Sequence, residues 1–307
     1  MLTPLSYWQR HLRNLFRYGT VRKYVNLARA YTAYRAGKVQ ISSMPVFLKA
    51  EICRYCEMDC LYCFPAKTQT LYPLQAYKQL IDQLKDYIFS VSLYDIGEPL
   101  HNPQVCEYIQ YAHQNKVGTV ISSSLSFERD EQYWYQLVTS GLDYLIVAID
   151  GITPQVYNTY RRNGNLDLVF SNLKQILAIR DKMHAKLFVE WQMVDFDWNR
   201  SEQSIAKDMA KQFGCDRFQV IAEAIQPRLR YDNETGLRDQ NCLLPYILFF
   251  VTASNDVRLC YKIYHHDMRI GSLSNSTFSE IWNGPEIARV RDREQIKDRV
   301  GCNKCRE

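Results

Sequence analysis

The sequence predicts an α/β protein built on a parallel sheet, open or curled into a partial barrel. Three observations carry that reading. Short apolar runs recur six times between residues 46 and 221, and helical segments separate them. Such alternation marks βα units, whose strands lie parallel. The third observation is a dense group of cysteines directly after the first run, since folds of this kind carry their reactive groups on loops at strand C-terminal ends.

The chain has 307 residues, a length that suggests about two domains, with 47% hydrophobic and 23% charged residues, an ordinary globular composition. Its first 50 residues hold nine Lys or Arg and no acid, so against an overall formal charge of +5 the remainder carries −4. Residues 1–45 read as a basic, aromatic-rich helical extension, with Tyr7, Trp8, Phe16, Tyr18, Tyr24, Tyr31 and Tyr34 set at helical spacing. One reading packs that aromatic side on the main domain. The other offers it to an acidic partner, nucleic acid or an anionic membrane surface.

The strand-like runs are VFLKAEI (46–52), IFSVSLY (88–94), GTVIS (118–122), DYLIVAI (143–149), LFVEWQMV (187–194) and RFQVI (217–221). Helical stretches fall between them, for example at 73–87, 166–182 and 200–213. The alternation stops near residue 235, which bounds a core at 46–235 and a C-terminal domain at 236–307. LPYILFFVTA (244–253) is too short to span a bilayer and reads as a buried strand or helix. The N-terminus lacks the apolar stretch of a signal peptide, so a cytoplasmic protein is expected. Reduced cytosolic thiols in clusters point to metal ligation or catalysis before disulfides.

The ten cysteines fall into two groups of four, with Cys106 and Cys215 apart. In AEICRYCEMDCLYCFP (50–65), Cys53, Cys56, Cys60 and Cys63 are too close for a zinc ribbon and miss the bacterial ferredoxin spacing. Cys56-x3-Cys60-x2-Cys63 remains, three thiolates on one loop. That set holds three corners of a [4Fe–4S] cube and leaves the fourth iron open.

With the aromatic Tyr62 before its last cysteine, this motif resembles the signature of the radical S-adenosylmethionine family. YDIGEPLHNP (94–103) resembles the family's Gly-Gly-Glu-Pro motif, with Ile96 in place of the first glycine. IVAIDGITPQVYNTYRR (146–162) resembles the stretch after its fourth strand. The resemblance implies a partial (β/α)6 barrel in which Cys56, Cys60 and Cys63 ligate a [4Fe–4S] cluster that binds S-adenosylmethionine. It sets the Tyr62 backbone against the adenine and Gly97 and Glu98 near the methionyl amine. Ser122, Ser124, Asp150 and Arg161 are its ribose or carboxylate contacts. Cys53, on the strand side of the loop, reads as a packed, inert thiol.

The second group, Cys242-x17-Cys260-x41-Cys302-x2-Cys305, supplies four thiols. With CLLPYILFFVTASNDVRLC (242–260) and MRIGSLSNSTFSEIWNG (268–284) around them, they resemble the C-terminal extension called SPASM or its shorter form, twitch. Asn255 stands where that pattern has a turn glycine, and asparagine tolerates the left-handed conformation. The resemblance implies one auxiliary [4Fe–4S] cluster on Cys242, Cys260, Cys302 and Cys305. His265 and His266 read as a surface turn.

The function these readings imply is reductive cleavage of S-adenosylmethionine and hydrogen abstraction from a small-molecule alcohol or sugar-type substrate. The net reaction is a dehydrogenation served by a reductant such as flavodoxin or ferredoxin. A peptide- or protein-modifying maturase is the alternative within the family. From another class stands a non-catalytic zinc or iron–sulfur protein with a basic docking segment. The −4 charge outside the first 50 residues argues against a nucleic-acid partner.

Overall fold

The computed structural model describes residues 5–63, 67–221, 242–260 and 269–292, with side chains from Arg10 onward. Two helices, α1 (Leu5–Tyr18) and α2 (Val21–Arg35), precede strand β1 (Phe47–Ala50). A small antiparallel ribbon, β2 (Cys53–Arg54) and β3 (Thr70–Leu71), brackets the first cysteine loop. The other strands of the core are β4 (Ser90–Ser92), β5 (Gly118–Ser123), β6 (Tyr144–Ala148), β7 (Phe188–Val194) and β8 (Arg217–Ile221). With β1 they lie side by side in sequence order, each adjacent pair parallel. All six apolar runs of the sequence are thus strands of one sheet.

The connecting helices are α3 (Leu74–Leu84), α4 (Val105–Gln114), α5 (Glu131–Thr139), α6 (Pro154–Tyr160), α7 (Leu166–Lys182) and α8 (Gln203–Phe213). Local chemistry sets several of their ends. The Asp130 and Asn165 side chains accept from Tyr133 N and Leu168 N to cap α5 and α7. Gly214, at φ +90°, ends α8.

Parallel crossovers are right-handed, so strands added in sequence order place every connecting helix on one face. The side-chain pattern agrees. Ile121, Leu145, Val147, Val189 and Trp191 belong to the large core shared with the helices. Their neighbours of opposite parity, Val120, Tyr144 and Ile146, form a separate cluster with Tyr94 and Phe188 on the inner face. β1, β4 and β6 are buried along their whole length, Lys49, Ser90 and Ser92 included.

Beyond residue 242 the chain adds to the same sheet. The run at 244–253 divides into a short helix, Leu244–Ile247, and strand β9 (Leu248–Val251). β9 pairs parallel with β1, from Phe47↔Leu248 to Ala50↔Val251. Strands β10 (Asp256–Arg258) and β11 (Arg269–Ser272) follow antiparallel at that edge. Asn255 turns the chain between β9 and β10 at φ +64°, the left-handed geometry its side chain tolerates. The division at 235/236 lies outside the described residues. Among the described residues, no helix is long and apolar enough to cross a membrane.

Helix α1 floors the inner face at the strand N-terminal ends. Arg10 bonds Glu190 of β7 at 2.5 Å and also reaches Gln192. Tyr144 Oη donates to the second Glu190 oxygen at 2.5 Å, and Arg217 of β8 stands 3.6 Å from it. Arg13 lies over the Phe188 ring, and Arg17 and Tyr18 both bond Asp143 just before β6. Polar side chains, not aromatic ones, therefore make much of this contact, with Arg10, His11, Asn14, Lys23 and Asn26 buried. The aromatic set divides: Tyr18 is buried and Tyr34 packs on the core, as one reading expects, whereas Phe16, Tyr24 and Tyr31 are exposed.

His11 sits within this floor, its Nδ1 2.7 Å from Ser90 Oγ and its ring against Phe47. Burial first, then Arg10 and Lys49, depress its pKa from the ordinary 6.5 to about 3. A neutral buried imidazole leaves stability intact above pH 6.5 and erodes it as the pH falls toward 3, because only the unfolded chain binds the proton. Urea unfolding of the wild type and His11→Asn, at pH 7 and pH 5, reads this directly. The acid loss in the wild type should exceed that of the variant by roughly 2 kcal/mol. Parallel pH profiles would remove His11 as its source.

Candidate active site

The first cysteine loop leaves β1 at the C-terminal end of the sheet. The β2–β3 ribbon closes its base, with Cys53 opposite Leu71 and Arg54 opposite Thr70. Farther out, Asp59 N and Leu61 N bond the carbonyls of Arg162 and Tyr160 at the end of α6. Lys67 Nζ lies within hydrogen-bond distance of the Cys56, Glu57 and Met58 carbonyls and pairs with Asp59 at 2.8 Å. Cys56 and Cys60 are half-buried and Cys63 is exposed. Cys53 is buried at the base of the loop, where desolvation pushes its thiol up to about 11.

The loop after β4 presses on that base. A Cβ on Gly97 would stand 2.2 Å from Cys53 O and 2.8 Å from Tyr55 N, so only glycine permits the approach. Glu98 N donates to Tyr55 O at 2.7 Å. The Glu98 carboxylate is buried and accepts from Leu100 N, Ser124 N and Ser124 Oγ. Burial raises its pKa, and the backbone N–H of Ser124 works against the rise. Glu98 and Ser124, two residues singled out in the sequence, are thus bonded to each other. Ser122 is half-buried on β5.

The loop after β6 brings together another such pair. Arg161 Nε bonds Asp150 Oδ2 at 2.5 Å, and its Nη1 stands 3.8 Å from Cys60 Sγ. The other Asp150 oxygen accepts from Val194 N at 2.6 Å. Gly151 allows the strand end to meet α6, since a Cβ there would lie 2.5 Å from Tyr157 N. Beside the cysteines, Tyr160 and Phe196 form a small apolar cluster with Val194, and Tyr62 and Trp198 pack against it. Trp191, by contrast, belongs to the helix-covered core, with Nε1 bonded to Ile149 O.

Other polar pairs near this end carry no sequence signal of their own. Lys49 of β1 bonds Asp95 at 3.2 Å, buried with it, and its ammonium lies 4.4 Å from the centre of the Tyr94 ring. His101 Nε2 meets Glu57 of the cysteine loop at 2.5 Å. A cavity of about 360 Å³ opens among Arg54, Thr252, Asp256, Arg258 and Arg269, between the loop base and the C-terminal strands.

Cys242 is half-buried before the short helix, and Cys260 is buried just after β10. Cys302, Cys305, His265 and His266 lie outside the described residues. Among the described residues, no three His, Cys, Asp or Glu side chains are grouped to hold a metal ion. The donor chemistry of the first loop nevertheless fits an iron–sulfur cluster. Three soft thiols share one tethered loop, and a guanidinium beside Cys60 suits an anionic ligand set.

Residues 242–306 match SPASM, an iron–sulfur cluster-binding domain. No curated protein matches the chain. Among solved structures, Streptococcus suis SuiB bound to its precursor peptide SuiA has a TM-score of 0.67 at 13% identity, covering 87% of this chain and 70% of SuiB. BtrN in complex with AdoMet and 2-DOIA has a TM-score of 0.56 at 16% identity, covering 87% of this chain and 95% of BtrN. The anSMEcpe structure with bound AdoMet and Cp18Cys peptide has a TM-score of 0.58 at 12% identity, covering 84% of each chain. At these identities the likeness is one of fold, the fold of radical S-adenosylmethionine enzymes. Residues 242–306 thus resemble an iron–sulfur cluster-binding domain, and the chain shares its fold with structures that hold AdoMet.

Proposed function

We propose that this chain, with a SPASM domain joined to a sheet of the radical S-adenosylmethionine type, oxidises a small alcohol or sugar-type substrate by radical chemistry. One observation carries the reading. The three-cysteine loop, the Gly97–Glu98 loop and the Asp150–Arg161 pair meet at the C-terminal end of one parallel sheet. When bound, the reduced cluster and S-adenosylmethionine supply a 5′-deoxyadenosyl radical that takes a hydrogen atom from the substrate.

The chain's own residues do the rest. Cys56, Cys60 and Cys63 hold the first cluster, and Arg161 offsets charge at Cys60. The Tyr62 backbone, Gly97 and Glu98 receive the adenine and the methionyl amine. Ser122, Ser124 and the Asp150–Arg161 pair order the ribose and carboxylate. Lys49 and Asp95 present a donor and an acceptor to a polar substrate, with Tyr94 beside them. Cys242, Cys260, Cys302 and Cys305 would hold an auxiliary cluster, which would supply an acceptor for the electron left on the substrate.

Coverage of 95% of BtrN, a structure holding a small ligand, supports a small-molecule substrate. The likeness to SuiB with its precursor peptide supports a peptide-modifying reading, which the same assay separates. Reconstituted protein with dithionite and S-adenosylmethionine should release 5′-deoxyadenosine under anaerobic conditions. A panel of sugars and aminocyclitols should then yield a product lighter by two hydrogens. Cys260→Ala should still cleave the cofactor while that product falls to a trace. Undiminished product from Cys260→Ala would sink the redox role, and bound zinc in place of iron would sink the enzyme reading.

A further inference from the structure

Six large apolar side chains stand exposed on α1 and α2: Leu12, Phe16, Val21, Tyr24, Val25 and Tyr31. The rest of the described chain exposes only Leu71, Tyr135, Met183 and Ile205, which are scattered. Phe16 and Val21 are each 81% exposed, as free in water as side chains in a folded protein become. Leu12 with Phe16, and Val21 with Val25, are each four residues apart, so each pair shares one helix face. Tyr24 Oη bonds Leu15 O and ties the second helix to the first.

The helices themselves carry charge of one sign, with Arg17 paired to Asp143 and Arg22 to Asp86 of the core. Arg13, Arg17, Arg22, Arg29 and Arg35 lie along the same helices, and no acid occurs before residue 51. Phe16 also rims a cavity of about 440 Å³ lined by Arg13, Asn14, Arg17 and Asp143. An exposed apolar patch flanked by arginines is the pattern of helices that lie in a bilayer interface.

We propose that α1 and α2 form a peripheral docking surface for an anionic membrane. Phe16 and Val21 enter the boundary between headgroups and acyl chains, where the exposed Arg13 and Arg29 meet lipid phosphates. The apolar character of the outermost residues favours lipid over nucleic acid, whose backbone gains nothing from Val21 or Leu12. The excess of arginine on the two helices, none of it matched by an acid of their own, disfavours a second copy of the same face. Because α1 floors the sheet at the strand N-terminal ends, the cysteine loop at the opposite ends faces away from the bilayer.

The test uses the full-length reconstituted protein and sedimentation with vesicles. Vesicles of mixed phosphatidylglycerol and phosphatidylcholine should carry the protein down, and phosphatidylcholine alone should not. Rising salt should weaken the binding. Phe16→Asp/Val21→Asp should lose at least ~tenfold in vesicle affinity, with melting temperature and iron content unchanged because both side chains face water. Failure of the wild type to bind anionic vesicles overturns the proposal, as does equal binding by the double variant. Binding of single-stranded RNA that excludes vesicles, or dimerisation lost in the double variant, overturns it in favour of that partner.

Discussion

Cys56→Ala is expected to reduce 5′-deoxyadenosine formation to the rate of the protein-free control, whereas Cys53→Ala leaves it near the wild-type rate. Both thiols lie in one eleven-residue group of four cysteines, yet the fold treats them differently. Cys53 is buried on the β2 ladder, where the Gly97 backbone closes over its carbonyl. Cys56 lies past the ladder on the loop that Lys67 and the α6 carbonyls hold open. Removing one of three thiolates leaves a cube with two protein attachments, too few to retain it or to present a single open iron. Iron content, sulfide content and deoxyadenosine, measured on both variants side by side, check the contrast. Loss of activity in Cys53→Ala with retained activity in Cys56→Ala would transfer the ligand role between them.

The second large effect concerns stability. Glu190 is fully buried, with a side chain 0% exposed, and depends on Arg10, Tyr144 and Arg217 for compensation. Arg10→Ala leaves that carboxylate buried with its strongest partner gone, a loss of about 3–5 kcal/mol. For a chain of this size each kcal/mol moves the midpoint by roughly 2–4 °C, so thermal unfolding should shift down by about ten degrees. Arg10→Met/Glu190→Leu, which removes both charges and fills similar volume, should recover most of the loss. A double variant as unstable as the single one would show that α1 is held by its other contacts instead.

Much of the framework is legible in the sequence because its signals are local. Strands of a sheet covered on both faces are rich in apolar residues, so β1 and β4–β8 stand out as runs even where Lys49, Ser90, Ser92 and Glu190 interrupt them. The α7 segment carries its own cap in Asn165 and shows its bounds at 166–182. The cysteine loop is legible for a related reason, since the ligands proposed for one cluster fall within one short loop. What is not legible joins distant residues. Nothing near Arg10 announces Glu190, and Lys49 sits within a run that reads as apolar until Asp95 is placed beside it. Asp150 and Arg161 look in sequence like two separate cofactor contacts, whereas the fold pairs them with each other and sets Arg161 beside Cys60. Strand pairing is equally non-local, so the joining of β9 to β1 carries no mark in either segment.

That last pairing governs the order in which the molecule can be completed. β1 is the first strand to leave the ribosome, yet one of its edges waits for Leu248–Val251, some two hundred residues later. Arg10 waits almost as long for Glu190. Until then an apolar strand edge and a cationic helix lack their final neighbours, a state in which nascent chains are prone to stick to one another. The protein can therefore mature only after its C-terminal strands have been synthesised, and late closure of this sheet sets the pace of its birth.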